Sequence, residues 1–183
     1  MSYLLGLDPG FKNFGYALLK NTCDRFELVE TKVYNPSTFN SEVYFAKELA
    51  VKAAYVPISH LTIERFVPFN STATSEMEYI NILIGSILTL VPESYIGFNG
   101  DLNDPRPGPP VVSRVRSVEW KVALVKALVK KRGFDNPSTT LDKRFSMAAA
   151  ACILGVDKLE KGMTDHEADS ICLAAFPILC GTT

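Results

Sequence analysis

Short apolar runs broken by turn residues open the chain and predict a β-hairpin. Residues 3–8 are apolar until they reach Asp8, and Pro9-Gly10 closes this run. An extended apolar pattern resumes at residues 14–19 after a short turn. We therefore expect two paired strands with a carboxylate at the mouth of their turn.

Three further elements are expected before the middle of the chain. Residues 26–34 predict a third strand, and a helix over about 41–55 follows the loop that contains Pro36. Residues 60–66 form another β-rich run, with Glu64 near its end. The pattern thus places a second carboxylate at the end of a strand.

A strongly apolar segment follows and predicts a buried helix. Ser75-Glu76-Met77-Glu78 has the form of a capping box at its start, and Pro92 marks its expected end. Because its apolar surface is wider than one helical stripe, we expect the helix to pack in the core or partly against a second subunit. A short strand at 95–98 and a loop rich in Pro, Gly and Asp at 99–110 are expected next.

The remaining residues predict a strand and three helices. The strand is expected at Val111–Val115, and a basic amphipathic helix begins at Ser117. Its apolar stripe is expected to consist of Val118, Val122, Val125 and Val129. Another helix is expected over about 140–154 with Gly155 as its carboxyl cap, and Thr164-Asp165-His166-Glu167 is a second capping box that opens the last helix.

This order of strands and helices predicts a mixed α/β fold without internal repeats. A chain of 183 residues, 47% of them hydrophobic, suffices for one sizeable core, so we expect a single domain over residues 1–183. The four cysteines, Cys23, Cys152, Cys172 and Cys180, have no metal-ligand spacing and are interpreted as reduced thiols. We also expect no charged leader ahead of the first strand and no membrane span, because no apolar run reaches the roughly 18 residues needed to cross a bilayer. We therefore expect a cytoplasmic protein without membrane contact.

Positive charge is concentrated in one part of the chain. The formal net charge is −1, which argues against a general nucleic-acid coat protein, but residues 106–144 contain ten Lys or Arg against three acids. This local excess of +7 suits a phosphate-binding surface on a neutral protein. For Lys130, Lys131 and Arg132, an equally good interpretation is that they complement the carboxyl end of a helix.

Three acidic residues are candidates for chemistry because of where they stand. Asp8 and Glu64 lie at strand ends, and Asp169 lies one turn into the last helix, three residues after His166 and on the same helix face. Clustered carboxylates repel one another unless a cation joins them, and their hard oxygen atoms suit Mg²⁺ or Mn²⁺. Two such ions about 4 Å apart can activate water and stabilise the leaving oxygen of a phosphodiester.

Each of these residues also has a purely structural interpretation. Asp8 could be a turn residue before Pro-Gly, and Glu64 could be the polar end of an edge strand. His166 could be a polar residue of the first helical turn, where Asp165 and Glu167 are better explained as helix-start residues. The order and setting of the whole set favour the functional interpretation.

The motifs taken together resemble the RuvC family of Holliday junction resolvases. The resemblance is carried by Gly6-Leu7-Asp8-Pro9-Gly10 with Asn13 and Gly15, by Thr62-Ile63-Glu64, and by His166-Glu167-Ala168-Asp169-Ser170. It implies an RNase H-like fold with a mixed central β-sheet flanked by α-helices, and a homodimer that makes symmetric nicks in four-way DNA junctions with two Mg²⁺ ions per site. Mn²⁺ would be able to replace Mg²⁺, and the setting would be a bacterial or phage-infected cell.

By motif match the resemblance implies that Asp8, Glu64, His166 and Asp169 are catalytic metal ligands, with Asp8 shared by both ions. His166 alternatively positions or deprotonates water. The residues expected to contact DNA are Lys121, Arg114, Arg116, Phe66 and Phe69. The family often has an aromatic residue three positions after the central glutamate, whereas this chain has Val67 there. Phe66 and Phe69 are the alternatives for stacking at the junction centre.

Three other functions are weighed against a junction resolvase. A nuclease with broader activity on flaps and other branched DNA would use the same residues. A catalytically silent RNase H-fold module would only bind nucleic acid, but it would gain by losing acids close to phosphate groups. An actin-like or sugar-kinase protein would need a second domain, for which 183 residues are too few.

Overall fold

The computed structural model describes residues 2–10, 12–22, 25–35, 42–65, 74–96, 110–137 and 140–181. In chain order the described elements are β1 (Ser2–Asp8), β2 (Phe14–Asn21), β3 (Phe26–Tyr34), α1 (Glu42–Tyr55), β4 (Ile58–Glu64), α2 (Thr74–Ile96), β5 (Val111–Val115), α3 (Ser117–Arg132), α4 (Lys143–Leu154) and α5 (Asp165–Cys180). No helix among these residues is long and apolar enough to cross a membrane.

The five strands form one mixed sheet in the order β3-β2-β1-β4-β5. Adjacent strands β1, β2 and β3 pair antiparallel, as short turns allow. Strands β1, β4 and β5 pair parallel, because α1 and α2 each lie in a connection that returns the chain to the same end of the sheet. The expected mixed α/β architecture is confirmed.

Strand β1 is central and is buried on both faces. Successive side chains of a strand alternate between faces, so Leu4 packs in the cluster formed with α3, α4 and α5. Leu5 and Leu7 pack in the opposite cluster with α1 and α2. This two-sided burial explains why the strand reads as a nearly continuous apolar run.

Helix α5 lies with its backbone against β1 and β2. A Cβ atom added to Gly6 would lie 2.1 Å from the carbonyl oxygen of Ser170, and one added to Gly15 would lie 2.5 Å from that of His166. Only glycine permits such close approach. The predicted capping box at Thr164 and Glu167 is present and fixes the residue at which the helix begins.

Three helix boundaries differ from the expectations. Helix α2 begins at Thr74, one residue before the expected cap, and runs past Pro92 to Ile96, so the strand expected at 95–98 is wrong for its first two residues. Residues 97–98 and most of the 99–110 loop lie outside the described residues. Pro92 removes one backbone hydrogen bond, and burial of the preceding turns of α2 outweighs that loss.

Helix α4 begins at Lys143 rather than near residue 140, because the Asp142 side chain accepts hydrogen bonds from two backbone amides and caps it there.

The apolar stripe expected on α3 is also wrong. Val118, Val122 and Val129 are exposed, Val118 by 71%, whereas Trp120, Leu124 and Leu128 face the core. Both sets recur at helical spacing, so spacing alone could not separate them. The larger side chains remove more apolar area from water, and this decides which face is buried.

The described cysteines carry free thiols, as expected. Cys172 is buried, and Cys152 and Cys180 are half-buried. Cys23 lies outside the described residues.

Gly6→Ala tests the close contact between α5 and the sheet. We expect it to lower the free energy of unfolding by about 3 kcal/mol, because the methyl group would overlap backbone atoms that have no room to move. Urea unfolding measures the change. The control is Gly85→Ala in α2, where an added Cβ meets nothing within 4 Å and should stabilise the helix by roughly 0.5–1 kcal/mol. Equal stabilities of Gly6→Ala and the wild type would contradict the contact.

Candidate functional site

Two of the predicted acids lie side by side at one edge of the sheet. Asp8 ends β1 and Glu64 ends β4, and the parallel register pairs Leu7 with Ile63 immediately before them. Because Leu7 and Ile63 face α1 and α2, the two acids that follow them face α3 and α5. Asp8 is buried, and Glu64 is partly buried.

Helix α5 brings the other two predicted residues to the same place. The Nδ1 atom of His166 lies 2.7 Å from Oδ2 of Asp8. Gly15 is the strand partner of Asp8, and its missing side chain lets the backbone of His166 lie against the sheet. Asp169 follows three residues later on the same helix face. The four predicted site residues thus come from β1, β4 and α5 and face a common region.

The first turn of α3 contacts two of these carboxylates. The indole Nε1 of Trp120 donates a hydrogen bond of 2.7 Å to Oε2 of Glu64. Lys121 Nζ donates to Oδ2 of Asp169 at 3.3 Å, and only 13% of the lysine side chain is exposed. Trp120 was missed by the sequence analysis. The sequence did offer a signal for this residue: it is the chain's single tryptophan, and it immediately precedes Lys121 in the basic helix.

Mutual repulsion and burial shape the protonation of the carboxylates. Loss of hydration, followed by the negative charge of Asp8, raises the pKa of Glu64 to about 7, although the Trp120 hydrogen bond acts in the opposite direction. Burial also raises the pKa of Asp169, against the nearby charge of Lys121. A sizeable fraction of Glu64 therefore carries a proton near neutral pH.

For His166 a raised pKa favours the charged form of the side chain, whereas for a carboxyl group it favours the neutral form. Its hydrogen bond with Asp8 raises the pKa of the imidazole, despite partial burial. When the imidazole is protonated, its Nδ1–H group donates to the Asp8 carboxylate and the two side chains form an ion pair. His166 and Lys121 together supply positive charge to the acidic cluster.

The described side chains do not form a preorganised metal-binding site. Among the described residues, no group of three or more His, Cys, Asp or Glu side chains is arranged to hold a metal ion. The donor types are nevertheless those of a hard divalent cation. Oδ1 of Asp169 is buried without a hydrogen bond among the described residues. The Ser146 hydroxyl is near enough to lower the pKa of Asp169, but it completes no well-oriented hydrogen bond with it.

The residues expected to contact DNA occupy different settings. Lys121 lies within the acidic cluster rather than on an open surface. Arg116 is exposed at the start of α3, 3.6 Å from Glu119. Arg114 is exposed too, but it pairs with Ile63 and therefore lies on the α1–α2 side of the sheet. Phe66 and Phe69 lie outside the described residues.

Part of the basic region donates hydrogen bonds to the carboxyl ends of helices. Lys131 Nζ donates to the carbonyl of Leu179 at 2.7 Å, and Arg132 donates to the carbonyls of Cys152 and Ile153. These side chains satisfy the carboxyl ends of α4 and α5, which agrees with the structural interpretation of the Lys-Lys-Arg run.

Comparison with known proteins gives structural but not sequence matches. No protein-family model matches the chain, and no curated protein is significantly similar to it. Thermus thermophilus RuvC in complex with Holliday junction substrate is 14% identical, with a TM-score of 0.65, and the match covers 100% of this chain and 96% of that chain. A second Thermus thermophilus RuvC structure is 14% identical with a TM-score of 0.63, covering 98% of this chain and 95% of the other.

A third solved structure is more distant. The fowlpox virus Holliday junction resolvase is 15% identical over 93% of this chain and 94% of its own, and its TM-score of 0.37 is too low to support an argument. The two Thermus thermophilus structures establish the fold. The chain has the α/β architecture of RuvC-like, RNase H-fold proteins, as the motif resemblance led us to expect.

Glu64→Gln should stabilise the metal-free protein at pH 8. Because the pKa of Glu64 is about 7 in the folded state and near 4.5 ordinarily, the folded chain retains a proton that the unfolded chain loses within this window. The stability of the wild type therefore falls as pH rises from 4.5 to 7. Glutamine removes this penalty, worth at most about 3 kcal/mol, and still accepts from Trp120.

Chemical unfolding in EDTA at pH 4.5 and pH 8 measures this difference. The stabilisation by Glu64→Gln should appear at pH 8 and be small at pH 4.5. Glu160→Gln, at an exposed acid in the α4–α5 connection, is the control and should show no such dependence. An equal effect of Glu64→Gln at both pH values would show that Glu64 has an ordinary pKa.

Proposed function

We propose that this chain is a metal-dependent endodeoxyribonuclease that resolves four-way DNA junctions by paired, symmetric phosphodiester hydrolysis. One observation carries the proposal: Asp8, Glu64, His166 and Asp169 come from three separate segments and converge at one edge of the sheet. The likeness of the fold to RuvC, including a RuvC in complex with Holliday junction substrate, supports the choice of substrate.

The acidic cluster has the chemistry of a site for Mg²⁺, or for Mn²⁺ in its place. The negative charge of Asp8 raises the pKa of Glu64 and of Asp169, and a divalent cation would offset this repulsion. Oδ1 of Asp169, which has no hydrogen bond among the described residues, is available as a ligand atom. When bound, two such ions would supply activation of a water molecule and stabilisation of the leaving oxygen. Asp8 is the proposed shared ligand, with Glu64, His166 and Asp169 completing the set.

The chain's own residues prepare the site for an anionic substrate. His166 and Lys121 offset part of the negative charge and keep the carboxylates together before any cation enters. His166 is alternatively placed to accept a proton from water once its bond to Asp8 is released. Either role requires the α5 contact with Gly15, which sets the distance between His166 and Asp8.

Exposed cations around the acidic edge suit the flanking phosphates. Arg65 follows Glu64 directly and is exposed, and Arg116 is exposed at the start of α3. Lys143 is exposed and pairs with Asp165, the neighbour of His166, at 2.7 Å. These exposed cations attract the DNA backbone and raise the local substrate concentration, while the acids remain available for catalysis.

Symmetric cleavage of a four-way junction requires two sites, and we propose that a homodimer provides them. Residues 79–92 of α2 contain no charged side chain, and Ile82 is 48% exposed on the face turned away from the core. The opposite face, with Ile80, Leu83 and Ile87, packs against α1 and the sheet. An uncharged outer face with an exposed isoleucine favours contact with a second copy.

Asp8→Asn and Asp169→Asn should each abolish cleavage while leaving junction binding largely unchanged. Both variants lose a cation ligand, but neither adds negative charge near the phosphates. The assay follows an end-labelled synthetic four-way junction in Mg²⁺, Mn²⁺ and EDTA, with gel-shift measurement of binding. Asp135→Asn, at an exposed site beyond the end of α3, is the matched control and should cut normally.

Linear duplex and flap substrates in the same assay separate the alternatives. Paired nicks confined to the junction and lost in EDTA are the expected outcome. Cutting of flaps as well would indicate a broader branched-DNA nuclease. Junction binding by the wild type without any cutting would contradict the proposal and favour a silent nucleic-acid-binding module.

Ile82→Glu should convert a dimer into a monomer at micromolar concentration, because the new charge would be buried in the proposed interface. Sedimentation velocity measures the change. Val156→Glu places the same charge at another exposed apolar position, in the α4–α5 connection, and should remain dimeric. A monomeric wild type would contradict the dimer itself, whereas a dimeric Ile82→Glu would exclude this face of α2.

A further inference from the structure

The single tryptophan of the chain contacts the acidic cluster. Trp120 is completely buried on the inward face of α3, beside Leu124 and Leu128. A buried indole requires an acceptor for its N–H group. Here the acceptor is Oε2 of Glu64 at 2.7 Å, a carboxylate that faces two other acids. The bond is therefore charge-assisted whenever Glu64 is ionised.

The connection between β5 and α3 holds this contact rigidly. Glu64 pairs with Val115 at the end of β5, and only Arg116 separates that strand from α3. The Arg65 amide also donates to the Val115 carbonyl, at 2.6 Å. Trp120 thus lies about one helical turn beyond the residue that pairs with Glu64. Strand register and helix start together determine where the indole N–H points.

Trp120 differs from its neighbour Lys121 in the kind of help that it gives. Lys121 brings a positive charge to Asp169, and this charge opposes the binding of a cation nearby. The indole is neutral, so it can keep its bond to Glu64 when a cation is present. Its hydrogen bond also engages one carboxylate oxygen of Glu64 and limits rotation of that side chain.

We propose, on the basis of the function proposed above, that Trp120 is a positioning residue whose indole N–H holds Oε2 of Glu64 and so fixes the orientation in which this carboxylate would meet a divalent cation. The carboxylate is then oriented by folding, before the cation arrives. Hydrogen-bond partners of metal ligands typically change metal affinity by about 10- to 100-fold when removed.

The test removes the N–H group and keeps the shape. Benzothienylalanine at position 120 replaces the N–H of tryptophan with sulfur, and Trp120→Phe is a simpler second variant. We expect both to weaken Mn²⁺ binding about tenfold or more, measured by electron paramagnetic resonance of free Mn²⁺. At limiting Mn²⁺, kcat should fall while KM for the junction is unchanged.

Leu124→Val is the matched control. It creates a small cavity on the same face of α3 without touching a carboxylate, so it should lower the unfolding temperature and leave Mn²⁺ affinity unchanged. In the wild type, Mg²⁺ should change the fluorescence of the only tryptophan, and Glu64→Gln should lose this response.

Each outcome of these measurements supports or overturns the positioning role of Trp120. Mn²⁺ affinity in the benzothienylalanine variant equal to that of the wild type would overturn the positioning role, while leaving the nuclease proposal intact if the wild type cuts junctions. An affinity loss no larger than that of Leu124→Val would show that Trp120 serves packing alone and would also overturn it. A wild type that neither binds Mn²⁺ nor cuts would overturn both proposals.

Discussion

The site depends on two glycines, because neither has a side chain that would separate the backbone of α5 from the backbones of β1 and β2. Gly6 and Gly15 allow α5 to lie directly on β1 and β2, closer than any other residue would permit. This contact places the amino end of α5 beside Asp8, so the positive end of the helix dipole faces a carboxylate. The remainder of α5 is buried among apolar side chains of α3 and α4, which resist any shift of the helix.

Charge balance is the second requirement of the site. Three carboxylates are gathered at one sheet edge with two cationic side chains, and each carboxylate already has a partner: Asp8 with His166, Glu64 with Trp120, and Asp169 with Lys121. These pairings offset part of the repulsion among the three carboxylates.

Much of the site followed from the sequence because its residues stand at element boundaries. Turn residues after Asp8, the β-rich run around Glu64 and the capping box before His166 located the strand ends and the start of α5. The sheet's parallel pairing then brought these boundaries together. Local sequence was enough here because each of these boundaries has its own chemical signal.

Other features depended on tertiary packing and had no local signal. The valines and the Trp-Leu-Leu set of α3 share one spacing, and only the volume available between α3, α4 and α5 determines which set is buried. The Trp120 contact with Glu64 joins residues 56 positions apart and arises from strand register. Continuation of α2 past Pro92 similarly reflects burial of its preceding turns, which sequence rules for helix ends do not include.

The position of α5 in the chain has a consequence for synthesis. It is the last described element, yet it carries His166 and Asp169 and occupies the centre of the core between the sheet and α4. While the ribosome is still adding the earlier elements, the nascent chain lacks two of the four candidate site residues and also the helix that its sheet must pack against. Formation of the native core and assembly of the four candidate site residues are therefore one event.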